Sequence, residues 1–207
     1  MDPITTSVAK AGLEATINSA KGFLSKLAGP AAEEMGALLQ DSVKLYRLKN
    51  QLRILKAAEV MLEKAGISPQ AVPFRSLLPI LEYSSLDDDD LLSRKWSALL
   101  ANAASTTENQ SFHPSFPRIL ADVSPREAAF LDLLYSEGGH VDWEEFRVRF
   151  SKLHNITIQE VDTYYGNLFR LGLCRIAALK PSGISQLQIG PFGLSFIEAC
   201  LPPKKNT

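Results

Sequence analysis

What this 207-residue chain has little of narrows its chemistry first. Cysteine occurs only at Cys174 and Cys200, too far apart for a paired-cysteine metal site and too few for a disulfide framework, which suits a reducing, cytoplasmic compartment. Charge of one sign is not in excess. Against 23 acidic residues stand 22 basic ones, a formal net charge of -1, so no long-range pull toward nucleic acid acts on the molecule as a whole. Long apolar runs are missing too: Lys10, Glu14, Asn18 and Lys21 interrupt the N-terminal segment too often for a membrane span, and that segment lacks the basic start of a signal peptide. The three histidines, His113, His140 and His154, lie in separate segments with no HExxH or HxH spacing. Neither a GxSxG elbow, a Walker loop nor a GxGxxG turn occurs. The sequence therefore predicts no catalytic residue, no cofactor and no metal site.

What is present reads as a mainly α protein in two parts: a helical hairpin or bundle over residues 1–123, with a long helix near 31–65, and a winged helix-turn-helix-like domain with a small β-hairpin over 124–207. Pro30 suits a helix start and Gly66 a helix stop. Between them Leu38, Leu45 and Leu52 recur every seven residues, and Leu48, Leu55 and Leu62 form a second row. Such a seam serves either packing within the chain or pairing with a second copy. On the same helix Lys49, Arg53 and Lys56 line one face, a stripe suited to an anionic surface or acidic partner and, more simply, to solvent. The N-terminal segment places Ile4, Val8, Ala11, Ala15, Phe23, Leu24 and Leu27 at roughly helical spacing. An amphipathic helix of that kind packs on a neighbour or lies on a membrane surface, which leaves a peripheral membrane location open.

Pro69, Pro73 and Pro79 confine the next stretch to short helices and turns. Four aspartates, Asp87–Asp90, then precede the apolar face of Leu91, Leu92, Trp96, Leu99, Leu100 and Ala103. They lack the alternating spacing and central glycine of a calcium loop. Ser85 or Asp87 is the expected cap, with the remaining carboxylates in the first turn, where unpaired N–H groups favour negative charge. A helix restarts at Pro114, and Ser124-Pro125 with Glu127 is a capping box. His154, near a helix C-terminus, is expected to carry charge.

Beyond Ser124 come a helix to Ser136, an extended "GGHV", a helix over "DWEEFRVRFSKLH", a Thr157-capped helix, two strands around Pro181-Ser182-Gly183, and a short "FGLSFIEAC" helix. In a DNA-reading winged helix, Gln159, Thr163, Asn167 and Arg170 would be the recognition contacts. Glu160 and Asp162 share that helix, and residues 124–207 hold nine basic and nine acidic residues. Without a cationic face, nucleic acid is a disfavoured partner and a protein surface the favoured one.

Several pieces together resemble a known family. Lys49-Asn50-Gln51-Leu52, the acidic turn leading to Trp96 with Leu99-Leu100-Ala101-Asn102-Ala103, His113-Pro114-Ser115-Phe116 and the closing "GPFGLSFIEAC" are similar to the abortive infection alpha family of bacterial proteins, over most of the chain from about Ala31. The resemblance implies a part in antiviral defence and carries no recognised catalytic residues. It makes a protein partner or self-association the expected mode of action.

Overall fold

The computed structural model describes residues 22–23, 26–27, 45–105, 112–177 and 185–204. Within them the chain is mainly helical, with eight helices and one small antiparallel sheet. It divides into two compact units, one running to Arg118 and taking in the residues from Cys200 onward, the other Ile119–Ala199.

In the first unit, α1 (Leu45–Ala65) packs mainly on α3 (Asp90–Ser105), and α2 (Phe74–Ser84) packs on both. Apolar spacing explains the arrangement. Ile54, Leu55, Ala58 and Leu62 of α1 are buried, as are Leu77, Ile80 and Leu81 of α2 and Leu92, Trp96, Leu99, Leu100 and Ala103 of α3. The second leucine row is thus spent inside the chain at Leu55 and Leu62, while Leu52 is half-buried. Leu38 and the side chains of Leu45 and Leu48 lie outside the described residues. So does the expected helical stretch 31–44. Gly66 ends α1 at φ +69, and Ile67 N–H reaches back to the Leu62 carbonyl, a closure that suits a residue without Cβ. Phe23 and Leu27 are buried as well, and the Leu27 carbonyl accepts from Val72 N–H at 2.8 Å. Two apolar positions of the N-terminal segment are therefore core positions.

The short helix expected in the proline-bearing stretch is α2, which runs for eleven residues and carries Pro79 in its interior. Leu77, Ile80 and Leu81 are buried on either side, and that burial holds the helix despite the missing N–H. The short α4 (Phe116–Ala121) begins two residues later than the proline signal at Pro114 suggested. Pro114 and Ser115 form the turn before it, and the His113 carbonyl accepts from Phe116 N–H.

The second unit contains α5 (Pro125–Ser136), β1 (His140–Asp142), α6 (Trp143–His154), α7 (Ile158–Arg170), β2 (Cys174–Ala177), β3 (Gln186–Ile189) and α8 (Pro191–Ala199). The expected two-stranded hairpin is a three-stranded sheet in the order β1-β3-β2, with His140 opposite Gln188 and Cys174 opposite Ile189. The expected turn at Pro181-Ser182-Gly183 lies outside the described residues. Ser124 caps α5 in the predicted capping box, and Thr157 with Glu160 makes a second box on α7. The turn between α6 and α7 closes through Asn155 at φ 52, a left-handed position asparagine tolerates. At the centre Phe130 packs edge-on against Phe146 and Phe150, at centroid distances of 4.7 and 5.3 Å.

Candidate functional site

Among the described residues, polar side chains gather at the junction of α1 with the α2–α3 turn and on the outer face of α7. At the first, helix α2 ends and leaves its last carbonyls without intrahelical partners, and α1 supplies the donors. Gln51 Nε2 donates to the Leu81 carbonyl at 3.1 Å, Asn50 Nδ2 to the Ser85 carbonyl at 3.2 Å, and Arg47 Nε to Ser85 Oγ at 3.0 Å. One turn on, the Arg53 guanidinium reaches the Asp87 carbonyl at 3.3 Å, Ser93 Oγ, and Asp90 Oδ1 at 3.5 Å. The direction of charge is favourable, since donors and cations meet the negative end of α2.

The aspartates divide the labour. Asp89 caps α3, its Oδ1 accepting from Leu91 N–H at 2.8 Å and Leu92 N–H at 3.0 Å. This corrects the expected cap, because Ser85 still belongs to the end of α2 and Asp87 turns inward. There Asp87 Oδ2 accepts from the indole Nε1 of fully buried Trp96 at 2.6 Å. Burial pushes the Asp87 carboxyl above its ordinary range, the Trp96 hydrogen bond opposes that, and the charges of Asp89 and Asp88 add to the rise. Among the described residues no group of three or more His, Cys, Asp or Glu side chains is placed to hold a metal ion.

This junction changes the meaning of the basic stripe. Lys49 and Lys56 are exposed, whereas Arg53 is half-buried and committed to the turn. The structure does not present the three as one free row. A helical wheel gives the face but not what covers it.

Helix α7 shows a similar division. Glu160 is taken by its cap, where the Thr157 backbone N–H and then its hydroxyl hold the carboxyl below the usual range. Asn167 Nδ2 donates to the Asp122 carbonyl at 2.9 Å and to Glu127 Oε1 at 2.8 Å. Arg170 donates to Asn167 Oδ1 at 2.8 Å and lies 3.4 Å from the Asp122 carboxylate. Thr163 Oγ1 donates back to the Gln159 carbonyl at 2.9 Å. Asp162 faces Arg147 at 3.4 Å, and Arg147 also binds Glu144 at 2.6 Å. Of the four candidate recognition contacts, Asn167 is an internal strut, while Gln159, Thr163 and Arg170 remain exposed. Exposed beside them are Gly166 and Phe169, the latter 57% accessible and stacked on Tyr165. Sequence reading missed the Asn167–Glu127 link; the only local sign was a capping-box glutamate with a second carboxylate oxygen to spare.

The histidines do not form a centre. His113 Nδ1 lies 2.7 Å from Ser115 Oγ, and His140 Nδ1 lies 3.0 Å from the Gly138 carbonyl. Arg126 Nη1 approaches His154 Nδ1 at 2.6 Å; because a guanidinium only donates, the ring nitrogen accepts. Burial first, and the Arg126 charge second, hold His154 below its usual range, so the expected cation at the helix end is a neutral ring. His140 borders a groove of about 740 Å³ with Tyr135, Ser136, Gln188, Ile189 and Leu194, whose lining among the described residues has no Asp, Glu, Lys or Arg. Cys174 and Cys200 are buried, and burial pushes the Cys174 thiol up to about 12. Among the described residues no helix is long and apolar enough to cross a membrane.

No curated protein and no solved structure matches the chain. The family model described as abortive infection alpha matches residues 49–200, a span that begins within α1 just before Asn50 and takes in the aspartate turn, both capping boxes, the sheet and α8. By that match over well more than half its length, the chain belongs to the abortive infection alpha family.

Proposed function

We propose that this chain is a non-enzymatic component of abortive infection-type bacterial defence that works through protein contacts, and that its second unit is a winged helix serving those contacts. The order helix, strand, two helices, two strands, with a β1-β3-β2 sheet, supports the winged-helix reading. The observation that carries the protein-contact reading is the exposed face of α7. A DNA-reading helix aims cations and amides at phosphates and bases. Here the amide of Asn167 is turned inward, and the helix sets one basic residue, Arg170, against two acids, Glu160 and Asp162. What faces outward is Gln159, Glu160, Asp162, Thr163, Gly166, Phe169 and Arg170. An aromatic beside a glycine and an acid suits a protein surface.

Plating efficiency of a phage panel on bacteria expressing the full chain tests the defence role, with an empty vector as control. Reduced plating is expected, and equal plating of every phage sinks the reading. A low-salt gel shift with purified protein tests the contact mode. Salt-sensitive retardation of duplex DNA would replace protein contact with a DNA-binding regulator.

A further inference from the structure

We propose that the outer face of α7 is a self-association surface, on which Gly166 of one copy crosses Gly166 of a second copy in an antiparallel helix pair. The inference stands apart from the defence role, since it concerns how the chain meets itself. Gly166 lies in the interior of α7, is exposed, and has nothing within 4 Å of the position a Cβ would take. Glycine at such a position costs about 1 kcal/mol relative to alanine. No backbone of the described chain approaches it closely enough to require the missing Cβ. A partner's backbone would.

The residues flanking Gly166 are complementary to themselves under a two-fold axis. In an antiparallel pair crossing at Gly166, the residue four positions before faces the residue four positions after on the other copy. Those residues are Asp162 and Arg170, which are 45% and 62% exposed at their side chains. Each helix thus offers one acid and one base, and the two-fold axis matches both pairs. Three positions either side, Phe169 faces Thr163; the Thr163 hydroxyl is turned back onto the Gln159 carbonyl, which leaves its methyl group for the ring. The present partners do not block the exchange. Asp162 with Arg147 and Arg170 with Asp122 are each at 3.4 Å on the surface, where such pairs contribute little, and the Arg170 bond to Asn167 Oδ1 at 2.8 Å is exposed as well. A single helix pair is a small interface, so the association is reversible and concentration-dependent.

Sedimentation velocity of the full chain over a wide concentration range is the test. A monomer–dimer equilibrium is expected, weakened about tenfold or more by Asp162→Arg or Arg170→Asp alone and returned toward wild type by the two together. Gly166→Cys should give a disulfide-linked dimer under mild oxidation, because only positions beside the axis bring two like Cα atoms within disulfide reach. Glu63→Cys, exposed on the first unit, is the control for random collision. A wild-type chain that stays monomeric overturns the proposal. So does a dimer that ignores the single reversals, one that the double reversal fails to restore, or one in which Gly166→Cys links no faster than Glu63→Cys. Thermal melts of each variant guard against misfolding. Should a reversal unfold the chain, the wild-type mass and the Gly166→Cys cross-link decide.

Discussion

The indole N–H of Trp96 donates to the carboxylate of Asp87 across 2.6 Å, joining the core of α3 to the turn that precedes it. Trp96 is fully buried, so its only ring donor must find an acceptor inside the protein. Asp87 supplies it at a cost, since burial and the neighbouring Asp89 and Asp88 disfavour its charge.

That cost predicts an uncommon result for Asp87→Asn. The folded-state pKa of Asp87 is raised, so its protonation stabilises the fold in full below the unfolded value and the benefit fades as pH rises through the folded one. At pH 7 the ionised group is a burden. Asparagine keeps an acceptor for Trp96 and removes the charge, so the variant should melt at or above wild type at pH 7, with the gap closing toward pH 4. Asp87→Ala orphans the indole N–H and should lose about 1–3 kcal/mol. Equal losses in both variants would refute the argument.

Arg53 should be the one member of the basic stripe whose loss is felt in stability. Its pair with Asp90 is exposed and contributes little. Its bonds to the Asp87 carbonyl and Ser93 Oγ are charge-assisted and part-buried. Arg53→Met is expected to cost about 2–4 kcal/mol in urea unfolding, with Arg53→Lys in between because an ammonium cannot span the same acceptors. Lys49→Ala and Lys56→Ala, at exposed positions, should stay within about 0.5 kcal/mol of wild type. An Arg53→Met midpoint indistinguishable from theirs would remove Arg53 from the junction.

These residues also mark how far the sequence could be read. The capping box at Ser124 was legible because its partners are three residues apart. The leucine row was legible because helical spacing predicts a face, and Leu55 and Leu62 are indeed buried. Arg53 was not, since its acceptors come from 34 to 40 residues away. Nor was the pairing of the extended "GGHV" segment, because β1 pairs with a strand more than forty residues later. On α7, type and spacing alone could not tell Asn167, which braces Asp122 and Glu127, from the exposed Gln159. Local signals locate helices; only the folded chain shows which of their polar side chains remain available.

His154 predicts acid sensitivity in the second unit. Its folded-state pKa lies below the ordinary 6.5, so the neutral ring contributes stability that is present above that value and is lost as pH falls toward the folded one. Wild-type melting should decline as pH drops below about 6.5, the ordinary histidine value. His154→Gln, which cannot take up the proton, should decline less. The same slope in both proteins would assign the acid loss to other groups.

The "GPFG" segment predicts the most severe single substitution. Gly193 lies in the first turn of α8, and a Cβ built there falls 1.9 Å from the Leu173 carbonyl oxygen and 2.7 Å from its carbon. Both contacts are with backbone, so no side-chain rotation relieves them. The Leu173 carbonyl also accepts from Gly190 N–H at 3.2 Å, which fixes it from the other side. Even Gly193→Ala must push α8 away from the start of β2, disturbing buried Phe196 and Ile197. A loss of about 3 kcal/mol or more is expected, although alanine is the better helix former at an unhindered site. Gly166→Ala is the matched comparison: it has open space around the missing Cβ and should raise the stability of the monomer by about 0.5–1 kcal/mol. Opposite signs for the same substitution on two helices of one unit, read from urea midpoints, would show that contact rather than helix propensity governs Gly193. A Gly193→Ala protein as stable as wild type would mean that α8 does not dock against Leu173 in solution.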